Sequence, residues 1–120
     1  MKALFDTHIL IDYLNGIAAA KRELDLYESH AVSIVTWREV MIGGEPELAD
    51  ATRGFLNRFT SIPISEGIAG RAVELRRERR LKLPDAIILA TSLETGLMLV
   101  TRNTKDFSAK LPGVRHPYRI

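Results

Sequence analysis

Four acidic residues of the sequence lie at or near predicted junctions between strands and helices: Asp6, Glu39, Asp85 and Asp106. Carboxylate oxygens are the ligands that hard divalent cations prefer, whereas zinc usually takes histidine or cysteine. Carboxylates that converge away from water repel one another unless a cation lies between them. We therefore expect these acids to bind Mg²⁺, with Mn²⁺ as a possible substitute.

Each of these acids also has an ordinary structural explanation. Asp6 can cap a helix, and Asp85 can complement a helix dipole. Glu39 can be solvated, and Asp106 can shape a turn. For each acid taken singly, the ordinary explanation is favoured over metal binding, but it does not predict that the four acids fall at one edge of a sheet.

Other metal-ligating residue types add little. The sequence has no cysteine, which excludes disulfides and thiolate metal sites. The three histidines are predicted to have structural or surface roles: His8 should point away from Asp6, and His30 and His116 are isolated in the sequence. Any metal must then be held mainly by oxygen.

Alternating apolar and amphipathic segments predict how these acids are positioned. Five strands are expected, the last at the edge of the sheet: residues 2–5, 31–35, 61–64, 97–100 and 116–120. Helices are expected between them over residues 7–14, 17–28, 37–42 with Thr36 as N-cap, 46–59, 66–81 and 85–95. This alternation predicts an α/β fold with three layers, α/β/α, around a central, mostly parallel sheet of four to five strands. Ligands of such sheets gather at the carboxyl ends of the strands.

Length and charge restrict the class of protein further. With 120 residues and 46% hydrophobic content, the chain is expected to form a single domain over residues 1–120. The net charge is only +2, but setting the four acids aside leaves 17 basic against 11 acidic residues, a balance of +6 that suits a polyanion. No apolar run is long enough for a signal peptide or a membrane span, so we expect a soluble, unprocessed cytoplasmic protein.

Four segments of the sequence together resemble the PIN-domain proteins of the VapC toxin family. They occur in the family's order and at similar separations, over nearly the whole chain: Leu4–Asp12, Ser33–Val40, Leu83–Ala90 and Val100–Phe107. The resemblance implies a PIN-like fold and a metal-dependent endoribonuclease that is the toxin of a toxin–antitoxin pair. It also implies an RNA substrate, a small antitoxin that blocks the acidic cleft, and a homodimer. Its catalytic and metal-binding residues would be Asp6, Glu39, Asp85 and Asp106.

Several neighbours of the acids are predicted to support them. Thr7 and Thr101 are expected to orient carboxylates or water, although ordinary turn chemistry explains them equally well. Asn103 stands at a position where some family members carry an acid, and here it is expected to be a neutral polar partner. Asp12 also lies in the first family segment, but it is predicted to face away from Asp6 in a surface or capping role.

Basic residues near the acids are candidates for contacts to RNA phosphates. Arg79, Arg80 and Lys82 precede Asp85, and Arg102 and Lys105 flank Asp106. The alternative is a solvated helix face. Trp37, next to Glu39, is expected either to stack on a base or to belong to the core.

Two other functions compete with the nuclease. One is a PIN-like module that binds RNA or protein, or acts in maturation, with weak or no nuclease activity. The other is a phosphoacceptor domain of the response-regulator type, which needs paired acids after the first strand and a lysine after a later one. The sequence offers neither of these in register.

Overall fold

The computed structural model describes residues 2–108 and 110–120, which contain five strands and six α-helices. The strands are β1 (Lys2–Phe5), β2 (Ser29–Ser33), β3 (Thr60–Ile62), β4 (Met98–Val100) and β5 (Val114–Arg115). The helices are α1 (Thr7–Leu14), α2 (Ala18–Asp25), α3 (Ile34–Gly43), α4 (Ala49–Leu56), α5 (Glu66–Arg79) and α6 (Leu83–Thr95), with a 3₁₀ turn over Pro46–Leu48 before α4. Within the described ranges, no helix is both long and apolar enough to cross a membrane.

The first strand of the chain lies in the middle of the sheet. The order is β3-β2-β1-β4-β5, and every neighbouring pair is parallel. In the β1–β4 pair, Leu4 is opposite Leu99 and Phe5 is opposite Val100. The residues that follow β1 and β4 therefore emerge side by side at the same edge of the sheet.

The sheet is covered by helices on both faces. Successive residues of a strand point to opposite faces, so Leu4 and Leu99 pack with apolar residues of α5 and α6, whereas Phe5 and Val100 pack with those of α1 to α4. All four side chains are completely buried. The predicted three-layer α/β/α architecture with a parallel five-stranded sheet is confirmed.

Helix α6 runs through one of these apolar cores. Ala86, Ile88, Leu89 and Ala90 are buried, and the helix ends at Gly96 with φ of 73°, a left-handed conformation that glycine adopts without steric cost. This agrees with the prediction of a buried helix closed by that glycine. The helix begins at Leu83, earlier than expected, because Pro84 is tolerated in its first turn.

The boundary between β2 and α3 was predicted wrongly. The strand ends at Ser33, whose hydroxyl accepts a hydrogen bond from the backbone N–H of Val35 at 3.1 Å and caps the helix. Ile34 and Val35 are therefore helical, and Thr36 is a buried residue of α3 rather than its N-cap. The β-branched run favours a strand locally, but the serine cap prevails.

The last strand and the helix that was predicted over residues 46–59 also differ from expectation. The fifth strand is Val114–Arg115 rather than residues 116–120, because β4 offers it only a short edge. The helix divides into the 3₁₀ turn and α4. Leu56, in α4, is buried and packs on the core. Leu48, in the 3₁₀ turn, is exposed.

A buried ion pair joins α2 to β5. Glu23, with its side chain 5% exposed, accepts hydrogen bonds from Arg115 Nε at 2.8 Å and Nη2 at 3.0 Å, and from the Tyr27 hydroxyl at 2.8 Å. Burial acts to raise the pKa of Glu23, but these hydrogen bonds outweigh it and lower the pKa. Burial and the neighbouring carboxylate raise the pKa of Tyr27 to about 12.

Replacing Arg115 with methionine should destabilise the fold, because Glu23 would become a buried charge without a partner. We expect a loss of about 2 kcal/mol in the free energy of unfolding, which is less than for a fully buried pair because Arg115 is 43% exposed. Urea unfolding at pH 7 measures this. Lys21→Met, which breaks the exposed Lys21–Asp25 pair, is the control and should cost less than about 1 kcal/mol.

The same pair gives the experiment a pH dependence. Because the pKa of Glu23 is lowered on folding, its stabilising effect is complete above the unfolded pKa and is lost as the pH falls through the folded one. The difference between the natural protein and Arg115→Met should therefore shrink on acidification below the ordinary glutamate pKa. A difference that is constant with pH would contradict this account.

Candidate metal centre

A cavity of about 250 Å³ opens at the carboxyl edge of the sheet. Its lining residues are Asp6, Thr7, His8, Glu39, Lys82, Pro84, Asp85, Asn103 and Asp106. The structure therefore brings the four sequence-predicted acids to one site. They come from four places in the chain: the end of β1, helix α3, the first turn of α6, and the turn after β4.

Asp6 lies deepest in this group and is 4% exposed. One carboxylate oxygen accepts a hydrogen bond from the backbone N–H of Thr7 at 2.8 Å, so Asp6 does cap helix α1. The other accepts the Thr101 hydroxyl at 2.6 Å. Burial raises the pKa of Asp6 above its ordinary value, and the two hydrogen bonds only partly oppose this. The capping role and a place in the site are thus compatible.

Glu39 is oriented by the first residue of α1. The Thr7 hydroxyl donates to Glu39 Oε1 at 2.7 Å, and the hydroxyl oxygens of Thr7 and Thr36 are 3.2 Å apart. Thr36 is fully buried and was not among the predicted site residues. The sequence did contain a signal for Thr36: it lies three residues before Glu39, so the two side chains are neighbours on one face of α3.

Asp106 is oriented by Asn103 in the loop after β4. The Asn103 side-chain amide donates to Asp106 Oδ2 at 3.1 Å and accepts the backbone N–H of Asp106 at the same distance. The backbone N–H of Asn103 in turn donates to the Thr101 hydroxyl at 3.0 Å. Thr7, Thr101 and Asn103 therefore each contact an acid or its partner, as a supporting residue must.

Asp85 carries the clearest electrostatic signature of the site. Its partial burial, followed by the negative charges of Asp6 and Asp106, raises the pKa of Asp85 to about 6. Lys82 lines the same cavity from the segment just before α6. The ionised cluster is therefore unfavourable by itself and favours the binding of positive charge.

These carboxylates fit a hydrated magnesium ion better than a closed protein cage. Among the described residues, no three histidine or carboxylate side chains are grouped closely enough to hold a metal ion directly. Magnesium usually keeps several waters and takes only one or two carboxylates. All the acidic donors are hard oxygens at the wall of one cavity, so the donor set agrees with that mode of binding.

His8 is at the surface, as predicted, but its predicted direction away from Asp6 was wrong. Its exposed side chain lies at the mouth of the cavity instead of pointing away, because it follows the capping residue in the first turn of α1. The other two histidines have the structural surroundings that were expected. His30 Nε2 lies 2.6 Å from the Leu24 carbonyl oxygen, and His116 Nε2 lies 2.6 Å from that of Phe107.

The prediction for Asp12 was also wrong, because this residue is buried rather than on the surface. It is 4% exposed and accepts hydrogen bonds from Arg102 Nε at 2.7 Å and Nη2 at 3.2 Å, and from the Tyr118 hydroxyl at 2.8 Å. Asp12 does face away from Asp6, but into a contact with the loop after β4. That contact spans 90 residues of sequence, which helical spacing cannot reveal.

The predicted phosphate-binding residues are distributed unevenly around the cavity. Lys82 lines it, whereas Arg79 and Arg80 are exposed at the end of α5 beyond its lining. Arg102 is engaged by Asp12 and is not among the residues that line the cavity. Trp37 is partly buried and packs against a core cluster, in agreement with the core alternative.

Comparison with known proteins identifies the family. Residues 3–110 match the family model of the PIN domain. The chain belongs to the PIN-domain family. The resemblance predicted from the four sequence segments is thus confirmed, and PIN domains of this kind are nucleases.

Solved structures give the same assignment. This PIN domain is 52% identical to a chain of a toxin–antitoxin complex from Klebsiella pneumoniae, with a TM-score of 0.93 over 98% of this chain and 99% of that one. The chain also shares its fold with VapBC2 from Rickettsia felis bound to a promoter DNA fragment (23% identity, TM-score 0.80, 95% and 96% covered). The same holds for FitAcB from Neisseria gonorrhoeae (21%, 0.82, 100% of both chains). None of the curated proteins matches the sequence.

Removing the charge of Asp85 should stabilise the metal-free PIN domain. The raised pKa means that the folded state disfavours this carboxylate, and the penalty is complete above about pH 6 and absent once the pH falls below the unfolded value. After a discount for solvent screening, Asp85→Asn should raise the free energy of unfolding by about 1 kcal/mol at pH 7. Urea unfolding in EDTA at pH 7 and pH 4 measures this, and most of the gain should be lost at pH 4.

Asp50→Asn is a matched control for this experiment. Asp50 also lies in the first turn of a helix, but it is exposed and outside the cavity. Its replacement removes a favourable helix-dipole contact and should leave stability equal or slightly lower. If Asp85→Asn behaves in the same way as Asp50→Asn, repulsion among the acids is not a significant cost.

Proposed function

We propose that this PIN domain is a metal-dependent endoribonuclease and the toxin component of a toxin–antitoxin pair. The observation that carries the proposal is the meeting of four carboxylates in one cavity, with three of them oriented by hydrogen bonds. The 52% identity to a chain of a toxin–antitoxin complex, over nearly its whole length, supports the toxin role.

The four acids are proposed as both the catalytic and the metal-binding residues. Asp6, Asp85, Asp106 and Glu39 would hold Mg²⁺, or Mn²⁺ in its place, together with water. When bound in such a site, the cation lowers the pKa of water and stabilises the negative charge that develops on the phosphate oxygens. The chain itself fixes where the carboxylates lie.

The supporting residues are proposed to keep the carboxylates in their orientations. The Thr101 hydroxyl and the Thr7 backbone hold both oxygens of Asp6, which leaves its remaining lone pairs directed elsewhere. The Thr7 hydroxyl holds Glu39, and Asn103 holds Asp106. Such contacts are the usual way in which ligand orientation is set around a metal.

The reaction proposed is hydrolysis of an RNA phosphodiester by water. Direct attack by water leaves a 5′-phosphate and a 3′-hydroxyl, whereas attack by the neighbouring 2′-hydroxyl leaves a cyclic phosphate. The strand would approach along the exposed basic residues Arg79, Arg80 and Lys82, of which Lys82 reaches the cavity.

The proposed protein partner is a small antitoxin that blocks the acidic cavity. A basic side chain of the antitoxin would find the same four carboxylates and would compete there with the cation. The RNA substrate and this partner both suit a protein that acts in the cytoplasm. The homodimer implied by the family resemblance stays a prediction.

One observation favours a second function, a PIN-like module that binds RNA or protein with little or no cleavage. In the described part of the chain, the acids are not grouped closely enough for direct coordination by three of them. A module of this kind would bind RNA stably and leave it intact. The two functions therefore differ in a single readout, which is the appearance of new RNA ends.

Cleavage of purified cellular RNA tests the proposal directly. With Mg²⁺ or Mn²⁺ the protein should produce cuts bearing 5′-phosphates, and EDTA should abolish them. Asp6→Asn should lower the cleavage rate by at least about 100-fold, because it removes one charge from the proposed ligands. Asparagine is also a good N-cap, so this variant keeps the cap of α1. Asp50→Asn should cut normally, and 2′,3′-cyclic ends would disprove the mechanism.

Thermal unfolding tests metal binding without relying on activity. Mg²⁺ binds the folded state preferentially, so above its Kd it should raise the melting temperature of the natural protein with the logarithm of its concentration. The increase should be much smaller for Asp6→Asn and unchanged for Asp50→Asn. Equal increases in all three proteins would mean that magnesium binds elsewhere.

A further inference from the structure

A second depression lies beside the acidic cavity, across the loop that follows β4. Its volume is about 370 Å³, and it is lined by His8, Arg102, Asn103, Thr104 and Lys105. His8 and Asn103 line both sites, so the two are neighbours on one continuous surface.

The two sites differ in the sign of their charge. The cavity holds four carboxylates, whereas none of the residues that line the depression is acidic. Lys105 is exposed and forms no ion pair with the described residues. Lys82 lines the cavity itself. Positive charge is thus found both in the wall of the cavity and in the depression beside it.

Arg102 is held rigidly at the wall of the depression. The buried carboxylate of Asp12 takes its Nε and one N–H of Nη2, and Asp12 is itself held by the Tyr118 hydroxyl. A guanidinium has five N–H groups, so three remain for another acceptor. The negative charge of Asp12 weakens the attraction of Arg102 for an anion. The same ion pair fixes the direction of the remaining N–H donors, so little side-chain entropy is lost when a phosphate binds.

We infer that this depression binds a backbone phosphate of the nucleotide next to the bond that is cut, on the same single RNA strand. The inference rests on the proposed function. Lys105 supplies the free charge, Arg102 supplies the oriented N–H donors, and Asn103 belongs to both the subsite and the cavity. The scissile phosphate then lies at the acids while its neighbour lies between Lys105 and Arg102.

The test compares Lys105→Gln with Lys110→Gln. Both lysines are exposed in the segment after β4, but only Lys105 lines the depression. Binding of a fluorescein-labelled oligouridylate is measured in EDTA over a range of salt concentrations. Lys105→Gln should weaken binding about threefold and reduce the log–log salt slope by about 0.7, the value for one lost contact to a single strand. Lys110→Gln should change neither.

Cleavage provides the second arm. On the RNA that is cut in the total-RNA assay, Lys105→Gln should raise KM about threefold with kcat unchanged. The reason is that Lys105 contacts the neighbouring phosphate and not the phosphate that reacts. Replacing the neighbouring linkage by a neutral methylphosphonate should raise KM for the natural protein, and should raise it less for Lys105→Gln, in which only Arg102 still contacts that phosphate.

The outcomes separate the subsite from the nuclease. If RNA is cut but Lys105→Gln and Lys110→Gln have the same KM and salt slope, the subsite is wrong and the nuclease stands. If the methylphosphonate affects Lys105→Gln as much as the natural protein, the phosphate contact is not made by Lys105. If the natural protein neither binds nor cuts RNA, the proposed function fails, and the subsite fails with it.

Discussion

The hydrogen bond from the Thr101 hydroxyl to Asp6 joins the ends of the two central strands of the sheet at 2.6 Å. It can form because β1 and β4 are parallel neighbours, so the residues that follow them emerge together. From this bond, further hydrogen bonds lead to Glu39 on one side and to Asp106 on the other. The placement of three acids therefore depends on the register of one strand pair.

Asp85 is placed mainly by the position of a buried helix, and its carboxyl group also lies within hydrogen-bonding reach of that of Asp106. The apolar residues of α6 fix its first turn against the sheet, and this brings Asp85 to the other carboxylates. Its pKa near 6 is the sign that the fold tolerates repulsion there. Functional sites commonly contain charged groups that lower the stability of the fold. Here the apolar cores on both faces of the sheet compensate for that loss of stability.

The sequence was sufficient for the layers, the parallel sheet and the meeting of the acids, because strand ends are marked by polar residues and parallel strands end at one edge. It was not sufficient for contacts made by the fold as a whole. Asp12 was expected at the surface because nothing local indicates that it meets Arg102. The start of α3 was missed because the Ser33 cap competes with a β-branched run.

The central position of β1 also bears on synthesis of the chain. Asp6 is made 95 residues before Thr101, and β1 lacks one neighbour until β4 has been made. Contacts of such large sequence separation form late in folding. The acidic cavity is therefore incomplete until Thr101 and Asp106 have been translated, so a shorter nascent chain lacks the complete site on which the proposed activity depends.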